Sequence, residues 1–481
     1  MEKLIGRKAE KKILMETLQS PDAELIAVLG RRRVGKTFLI RSVYEKHLLF
    51  EFSGVHDVRM QDQLQNFSYA LKKAGGYPVD LEVPATWIEA FHSLQDFLEP
   101  RISNKKVVIF FDEFPWIHTQ KSNFLSAFEH FWNSWASRQG HLKVVICGSA
   151  ASWMIRNVVH NKGGLHNRVS KRIRLMPFDL HETETYLKSR NIELERYHIL
   201  QLYMAMGGIP QYLKEIQQGE SAGQAIDRLC FSRNGILKEE FNDLYASLFD
   251  NATHHVNIVK TLARTGKGLT RNEIIAACGL SSGGSATRLL EELMESGFIL
   301  SYIPFDKNVK ESIYKLCDEY SLFYLRFIEK NKAMGTGTWL KISAGASWKS
   351  WSGFAFETIC LQHTPQIREA LGLSVIHLEE SVWRYTPGKN EPGAQIDLLL
   401  DRSDQSINIC EIKFSISEFT ITKSYADELR QKQAVFKQKT KTRKTLFITM
   451  ITTYGVTKNI YYTGLVQNEI RMDRLFERLP G

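Results

Sequence analysis

A single octapeptide restricts the fold of this 481-residue chain more than any other feature. Residues 30–37 read GRRRVGKT, which matches the pattern G-x-x-x-x-G-K-[ST], and they overlap the end of the apolar run LIAVLG at 25–30. The glycines let backbone N–H groups converge on phosphate oxygens, and the helix that follows adds the positive end of its dipole. The octapeptide therefore predicts a strand, a phosphate-binding loop (P-loop) and a helix within an α/β domain.

Individual residues of this loop have predicted roles. Lys36 is expected to reach the β- and γ-phosphates of a nucleotide, and Thr37 to bind magnesium. Gly30, Arg33 and Gly35 complete the loop residues assigned to nucleotide binding. The predicted cofactors are therefore ATP and Mg²⁺. The alternative, an ordinary strand-to-helix turn, leaves the Lys-Thr pair at this spacing unexplained.

An acidic pair at the end of another apolar run supplies the second half of such a site. Residues 107–114 read VVIFFDEF. Asp112 is expected to hold magnesium through water, and Glu113 to polarise the attacking water. Two carboxylates would be costly in an apolar core, which favours a functional interpretation. A further apolar run ends in CGSA, where Ser149 is a candidate sensor of the γ-phosphate or a simple turn residue.

The bulk composition describes a soluble chain of about three domains at ~150 residues each. Its formal net charge of +10 suits an anionic partner without identifying one. The six cysteines form no CxxC motif, which predicts reduced, mostly buried thiols. No apolar run approaches the ~20 residues that span a bilayer, and the N-terminus lacks the apolar core of a secretion signal. A cytoplasmic protein without a membrane partner is expected.

The distribution of apolar runs predicts the order of the elements. Strands at 25–30, 48–53, 106–111 and 142–148 alternate with amphipathic segments, which is typical of a parallel sheet covered by helices. Helices are then expected through about residue 245. Three further helices and two strands follow, as in a winged helix: 251–264, 269–279, 285–297, 298–303 and 312–318. The Gly- and Ser-rich segment 334–353 is predicted to be a hinge or loop.

The third of these helices could enter the major groove of DNA, or the whole segment could serve in packing between domains. Glu291, Glu292 and Glu295 stand against Arg288 on that helix, which disfavours contact with phosphates. The charge pattern therefore favours packing.

Several motifs in order resemble the archaeal-type ATPases of the STAND group, which are relatives of the AAA-plus proteins. Over residues 1–330 they are IGRKAEKKIL, the P-loop, FDE, ICGS, LHNRVSKRIRLMPF and GGIP. The resemblance implies that Pro210 of GGIP lies close to the nucleotide. It also makes Arg168 a candidate arginine finger, with Asn167 standing where the family usually has glycine; the alternative is a surface arginine in a basic loop. A finger that acts on a neighbour's ATP would require a homo-oligomer.

A second group of ionisable residues occurs near the C-terminus. The runs GAQIDLLLDR (393–402) and ICEIKFS (409–415) predict an antiparallel hairpin in which Asp397, Glu411 and Lys413 converge at one edge. Upstream, WSGFAFETICLQH predicts an amphipathic helix that carries Glu357. The alternative, an exposed Glu411–Lys413 ion pair worth ~0.2–1 kcal/mol, does not account for the other two acids.

This ordered set resembles the PD-(D/E)xK nuclease superfamily over residues 345–481. The resemblance implies that Glu357, Asp397 and Glu411 bind magnesium or manganese, and that Lys413 orients water and stabilises charge on the phosphate. The following helix carries cations that are either a solvated face or contacts to a DNA backbone. Those assigned to DNA are Arg430, Lys432, Lys437 and Lys441.

The sequence thus predicts an α/β protein with five segments: a P-loop ATPase sheet (1–180), a helical lid (181–245), a winged helix (246–333), a linker (334–350) and an α/β restriction-endonuclease-like domain (351–481). The expected function is binding and hydrolysis of ATP, coupled to a C-terminal domain that binds DNA and cleaves it with a metal ion. The alternative is a STAND-type signalling switch whose C-terminal domain is a non-catalytic binding module.

Overall fold

The computed structural model describes residues 3–102, 105–149, 151–159, 165, 167–249, 251–331, 335–387 and 393–479. The chain divides into two units. The first consists of residues 1–177 and 244–252, and the second of residues 178–243 and 253–481.

The described residues form strands and helices with the following bounds. The strands are β1 (Glu24–Leu29), β2 (Leu48–Ser53), β3 (Val107–Asp112), β4 (Leu142–Gly148), β5 (Lys171–Arg174), β6 (Leu269–Thr270), β7 (Ile299–Tyr302), β8 (Ile313–Leu316), β9 (Leu378–Tyr385), β10 (Ala394–Arg402), β11 (Ser406–Lys413), β12 (Thr445–Thr452) and β13 (Asn468–Arg471). The helices are α1 (Lys8–Gln19), α2 (Lys36–Tyr44), α3 (Met60–Gly75), α4 (Trp87–Leu98), α5 (Phe114–Ile117), α6 (Phe124–Ser134), α7 (Ala151–Met154), α8 (Leu180–Ser189), α9 (Arg196–Met206), α10 (Pro210–Leu213), α11 (Ala222–Ile226), α12 (Glu240–Leu248), α13 (Thr253–Thr265), α14 (Arg271–Cys278), α15 (Gly284–Glu295), α16 (Glu319–Phe323), α17 (Thr338–Ser343), α18 (Ala346–Gln362), α19 (Thr364–Ala370), α20 (Lys423–Thr440) and α21 (Ile460–Thr463).

A parallel sheet organises the first unit. Its described strands lie in the order β2-β3-β4-β1-β5, and each neighbouring pair is parallel. β3 and β4 are buried along their whole length, as expected for parallel strands with both faces covered. Aromatic side chains of α4 and α6 pack into this core, including Trp87, Phe91, Phe124 and Phe128. The predicted α/β fold with a parallel sheet is confirmed.

The edge strand β5 was not predicted from the sequence. It pairs with β1, but its sequence KRIR buries only Ile173. The other four strands were found because each carries a run of apolar residues. A short edge strand with alternating exposure has no such run, which is why it went unrecognised.

In the second unit, the GGIP motif ends α9 and begins α10. The N–H of Phe178 donates to the carbonyl oxygen of Gly208 at 2.7 Å. A Cβ atom on Gly208 would lie 1.8 Å from the carbonyl oxygen of Phe178, so the two backbone segments could not approach this closely with any other residue at position 208. Pro210 occupies the first position of α10, where its missing N–H costs nothing.

The segment from α13 to β8 has its elements in the predicted order, and β6 adds a third strand to give the antiparallel order β6-β8-β7. It packs against the C-terminal sheet within the second unit, because the N–H of Phe305 donates to the carbonyl oxygen of Val382 in β9 at 3.0 Å. On α15, Glu292 is buried and lies 2.8 Å from His255. These contacts favour a packing role. That the segment is a winged helix stays a prediction.

The loop predicted over 334–353 is wrong for most of that range. Met334 lies outside the described residues, but α17 and α18 together make 338–343 and 346–353 helical, including most of the predicted linker. Trp339, Trp348 and Trp351 are buried and pack with one another and with Phe327. Glycine and serine suggested a hinge, but the three tryptophans give these helices a large apolar surface to bury.

A mixed sheet organises the C-terminal part of the second unit. Its described strands lie in the order β13-β12-β11-β10-β9. β9, β10 and β11 are antiparallel neighbours, whereas β11, β12 and β13 are parallel. The predicted hairpin of β10 and β11 is therefore confirmed, with Leu398 opposite Cys410. β11 lies at the centre and is buried except at Lys413.

All six cysteines are free thiols and five are buried, as predicted. No helix in the described part of the chain combines the length and the apolar character needed to cross a bilayer.

Candidate functional site

The P-loop joins the end of β1 to the start of α2. A Cβ atom on Gly30 would lie 2.4 Å from the carbonyl oxygen of Leu175, so the loop passes the neighbouring chain too closely for a side chain. Gly35 has a φ of 93° immediately before α2, a conformation that favours glycine. The two glycines of the motif are therefore required by the path of the backbone.

Lys36 lies inside this loop and is only 5% exposed. Its ammonium group donates to the carbonyl oxygens of Gly30 at 2.9 Å and Arg31 at 3.1 Å. It makes no ion pair with any residue that the structure describes. A buried cation bonded only to carbonyl oxygens can exchange these partners for the oxygens of an anion.

The acidic pair lies at the carboxyl end of β3. The hydroxyl of Thr37 donates to Oδ2 of Asp112 at 2.8 Å, so the P-loop and β3 meet there. Glu113 follows with a φ of 44°, which turns its side chain toward the next strand. Its Oε2 accepts hydrogen bonds from the N–H of Ser149 at 3.0 Å and from the hydroxyl of Ser149 at 2.8 Å. Residues predicted from three separate sequence segments are thus brought together at the carboxyl ends of the strands.

Cys147 is a member of this site that no sequence motif singled out. Its thiol donates to Oδ1 of Asp112, with Sγ and Oδ1 2.7 Å apart. Burial, together with the charge of Asp112, raises the pKa of the Cys147 thiol well above its usual value. The thiol therefore stays protonated and orients the carboxylate as a hydrogen-bond donor.

The residues around Thr37 fit a magnesium ion. A hydroxyl and a carboxylate lie within hydrogen-bond distance, and Mg²⁺ binds such oxygen ligands together with phosphate oxygens and waters. Asp112 ends β3 and Glu113 follows it, so one carboxylate can bind a metal while the other contacts water.

Three other residues were predicted to belong to the ATPase site, one of them within the P-loop. Arg33 is half-buried with a φ of 72°. Arg168 is exposed in the turn before β5, and its N–H donates to the carbonyl oxygen of Leu165 at 3.0 Å. Asn167 has a φ of 55°, a conformation that asparagine tolerates better than most residues, which explains how it can stand where glycine was expected. Pro210 belongs to the second unit, and its role toward a nucleotide stays a prediction.

Within the second unit, a cleft of about 610 Å³ is lined by Glu357, Asp397, Glu411 and Lys413, and we call it the carboxylate cleft. Glu357 comes from α18, Asp397 from β10, and the remaining two from β11. Because side chains two apart on a strand share a face, Glu411 and Lys413 both point into the cleft. All four predicted residues are therefore brought together.

Glu411 is 2% exposed and is held by two lysines. Nζ of Lys413 lies 3.0 Å from its Oε1, and Nζ of Lys432 on α20 lies 2.9 Å from Oε1 and 3.0 Å from Oε2. Burial acts to raise the pKa of Glu411, but the two ammonium groups outweigh it and lower the pKa below its usual value. The alternative of an exposed Glu411–Lys413 pair is therefore wrong about exposure. The ion pair is present, but its carboxylate is buried.

Asp397 has the opposite balance. Burial and the neighbouring charges of Glu357 and Glu411 raise its pKa to about 7, and the two lysines offset this only in part. Its Oδ2 accepts the N–H of Ile412 at 3.4 Å. Asp397 is thus a buried acid without a close cation among the described residues, and near neutral pH it is partly protonated.

Glu357 is paired with a residue that sequence reasoning missed. Nζ of Lys315 on β8 lies 2.5 Å from Oε1 of Glu357 and 4.8 Å from the centre of the Phe354 ring. Lys315 is 8% exposed. The strand predicted as part of a winged helix therefore supplies a buried counter-ion to the carboxylate cleft.

The carboxylate cleft has the donor chemistry for a hard divalent cation, but its acids are spread. Among the described residues, no three His, Cys, Asp or Glu side chains are grouped closely enough to hold a metal by themselves. Mg²⁺ commonly uses one or two carboxylates and completes its shell with water and substrate oxygens. Asp397 together with Glu411 satisfies that requirement, provided that a lysine moves away from Glu411.

The cations assigned to DNA, on α20 and at Lys441 just after it, separate into two groups. Lys437 and Lys441 are exposed, and Arg430 is exposed while paired with Asp427 at 2.8 Å. Lys432 instead lies in the carboxylate cleft, 14% exposed and bound to Glu411. A role for the first three on DNA stays a prediction, whereas the geometry of Lys432 relates it to the acids.

Comparison with known proteins identifies the class of the N-terminal domain. Residues 4–216 match a family described as "ATPase domain predominantly from Archaea". These residues are an archaeal-type P-loop ATPase domain.

Three longer matches cover between 67% and 90% of this chain. An uncharacterized protein of Methanocaldococcus jannaschii is 24% identical over 436 residues, which cover 90% of this chain and 92% of that one. The Walker-type ATPase PABY2304 of Pyrococcus abyssi is similar in structure, with a TM-score of 0.48, 18% identity, and coverage of 67% of this chain and 96% of that chain. The ORC2 protein of Aeropyrum pernix, in ADPNP–ADP complexes, has a TM-score of 0.40, 14% identity, and coverage of 71% and 96%.

Proposed function

We propose that the first site binds ATP with Mg²⁺ and hydrolyses it. The observation that carries this proposal is the meeting of Thr37, Asp112, Glu113 and Ser149 beside the buried ammonium group of Lys36. Bound magnesium would be held by Thr37 and, through water, by Asp112, and would neutralise phosphate charge. Glu113 polarises the attacking water. Ser149 orients Glu113 and senses the γ-phosphate.

The test is the affinity for ATP of Lys36→Ala, measured by calorimetry. Removing a buried ammonium group that binds phosphate oxygens costs roughly 2–3 kcal/mol, or about 30- to 150-fold in affinity. Lys46→Ala is the matched control, because Lys46 is exposed just beyond the same helix. Undiminished affinity in Lys36→Ala would contradict nucleotide binding at this loop.

For the second unit we propose metal-dependent binding and cleavage of DNA at the carboxylate cleft. Asp397 and Glu411 would hold magnesium or manganese, with Glu357 in the same cleft; the metal would lower the pKa of a bound water and neutralise charge on the phosphate. Lys413, the more exposed of the two lysines that bind Glu411, is suited to orient water and to contact the phosphate. The convergence of three acids and Lys413 in one cleft supports this function. ATP turnover would then control when the domain engages DNA.

The second candidate function is a signalling switch whose C-terminal domain binds a partner without cleaving it. The observation in its favour is that Glu411 is already neutralised by Lys413 and Lys432, with no close group of three acids among the described residues. In such a protein the carboxylates and lysines would stabilise the fold and shape a binding surface.

Cleavage of supercoiled and linear DNA with Mg²⁺ or Mn²⁺, with and without ATP, separates the two candidates. Cleavage that is lost in Lys413→Ala but kept in Lys423→Ala, an exposed lysine of α20, would identify β11 as a catalytic strand. Its dependence on ATP would disappear in Lys36→Ala. No cleavage under any condition, with ATP still bound, would favour the switch.

A further inference from the structure

A second cleft adjoins the carboxylate cleft within the second unit. It has a volume of about 520 Å³ and shares Lys267, Glu357 and Gln395 with the first. We call it the cationic groove, because basic side chains outnumber acidic ones along it. Its charged residues are Lys260, Arg264, Lys267, Arg326 and Lys330 against Glu329 and Glu357.

Both acids of the cationic groove are already paired. Glu329 lies 2.7 Å from Nζ of Lys260, and Glu357 is held by Lys315. Arg264, Lys267 and Lys330 make no ion pair with any residue that the structure describes, and all three are exposed. The groove therefore has an excess of positive charge that is available to an anionic ligand.

The turn between α13 and β6 holds Lys267 where the two clefts meet. Gly266 and Gly268, on either side, have φ values of 63° and 76°. A Cβ atom on Gly268 would lie 2.5 Å from Ile313 and 2.9 Å from the carbonyl oxygen of Tyr314, both on β8. A Cβ atom on Gly266 would touch the ring of Phe354 at 3.4 Å. Close approach to β8 therefore requires glycine at 268, and the positive φ at both positions favours glycine in the turn that presents the lysine.

We propose that the cationic groove binds a single strand of DNA and directs its phosphodiester backbone into the carboxylate cleft. Lys267 contacts the phosphate at the junction, and Arg264 and Lys330 contact phosphates farther along. Volumes of about 520 and 610 Å³ fall in the range of ~300–1,000 Å³ typical of small-ligand pockets, which admits a few nucleotides of one strand rather than a duplex. The α13–β6 turn, and not the glutamate-bearing α15, is then the surface of this segment that faces nucleic acid.

This inference rests on the function proposed for the carboxylate cleft only where it concerns the fate of the bound strand. Strand binding itself is measured by fluorescence anisotropy with a short labelled oligonucleotide in EDTA, which prevents cleavage. We expect Lys267→Ala to weaken binding about threefold to tenfold, and Arg264→Ala/Lys267→Ala to weaken it further. The slope of log K against log salt should fall by about 0.7 for each phosphate that the variant no longer neutralises.

Two controls make the result specific. Lys310→Ala removes an exposed lysine from the same segment, outside both clefts, and should leave binding unchanged. Lys267→Arg keeps the charge and should restore most of the affinity. Thermal melts of all variants show whether the fold is kept.

Several outcomes overturn the inference: no DNA binding by the native protein, an unchanged affinity and salt slope in the double variant, or a loss confined to duplex DNA. Weakened strand binding in Lys267→Ala without cleavage by the native protein would support the groove and contradict the nuclease. Cleavage that is unaffected by the substitutions of Lys267 and Arg264 would support the nuclease and contradict the groove.

Discussion

The P-loop and the carboxylate cleft both combine carboxylates with a lysine near the ends of sheet strands, but their charges are balanced in opposite ways. Lys36 donates to two backbone carbonyl oxygens, with no described carboxylate as its partner. Glu411 is bound by two ammonium groups at 2.9–3.0 Å. A phosphate can therefore approach Lys36 without displacing a counter-ion, whereas a metal ion that approaches Glu411 must compete with Lys413 and Lys432.

Similar residue types therefore form two kinds of site. We call the P-loop the ready site, because its charged groups can bind a ligand directly, and the carboxylate cleft the closed site, because an ion pair must first be broken. At the P-loop, hydrogen bonds from the backbone and from Ser149 orient the charged groups while leaving their charge available. In the carboxylate cleft, lysines form ion pairs with Glu411 and Glu357, because an isolated buried charge would cost several kcal/mol. The second site therefore needs a cation, a substrate or a movement of α20 to free its carboxylates.

The largest effect is expected from Glu113→Gln at the ready site. The amide cannot accept a proton from the attacking water, so the rate of ATP hydrolysis should fall about 10²- to 10⁴-fold. Its oxygen can still accept the hydrogen bonds from Ser149, so the affinity for ATP should stay within a few-fold of the native value. Phosphate release and nucleotide binding measure the two quantities.

The exposed Glu99 provides the control, since Glu99→Gln should change neither quantity. Hydrolysis at the native rate in Glu113→Gln would mean that another group polarises the water. A parallel loss of ATP binding would mean that Glu113 orders the loop rather than the water.

A smaller effect is expected from Lys432→Met at the closed site. The change removes one of the two ammonium groups that compete for Glu411, so the affinity for Mg²⁺ or Mn²⁺ should rise by about tenfold, or ~1.4 kcal/mol. The free energy of unfolding without metal should fall by about 1–3 kcal/mol, because a charge-assisted hydrogen bond of a buried carboxylate is lost. Calorimetric titration and denaturant unfolding measure these changes, with the exposed Lys437→Met as the control.

Weaker metal binding in Lys432→Met would reverse the interpretation. Lys432 would then hold Glu411 in the orientation that the metal needs, and the contrast between a ready and a closed site would no longer stand.

The sequence predicted that polar side chains at the ends of apolar segments lie close together in the fold. Asp112 ends a buried strand, Glu113 and Ser149 each follow one, and parallel strands have their carboxyl ends on the same side of the sheet, so their proximity follows from the fold class. In the same way, the period of two along a strand predicted that Glu411 and Lys413 share a face. These predictions succeeded because each depends on local pattern and strand order alone.

The partners of the acids could not be predicted in this way. Lys432 belongs to a row of cations on α20, and its sequence neighbours do not distinguish it from Lys437. Lys315 and Glu357 are 42 residues apart on elements predicted to belong to different domains. Only the packing of helix against sheet decides which lysine of such a row faces a buried carboxylate.

The last expected effect, that of Asp397→Asn, is on stability, and it has a definite dependence on pH. Burial first, and then Glu357 and Glu411, raise the pKa of Asp397 from 3.8 to about 7, so the folded state binds a proton that the unfolded state releases. Stability is therefore lost as the pH rises from about 4 to about 7, and the loss amounts to about 2 kcal/mol at pH 5.5 and about 4 kcal/mol at pH 8.5. Asparagine does not ionise, so Asp397→Asn should melt a few degrees higher than the native protein, with about twice the gain at pH 8.5.

Asp401→Asn on the same strand serves as the control, because Asp401 is paired with Lys444 and its replacement should give no gain in melting temperature. An equal gain for Asp397→Asn at both pH values would mean that Asp397 carries no titrating charge, and the cleft would not store the repulsion that a metal ion could relieve. A gain that grows with pH and disappears in saturating Mg²⁺ would instead show that the native carboxylate lowers stability and that metal binding offsets the loss. The closed site would then differ from the ready one in requiring its ligand for full stability.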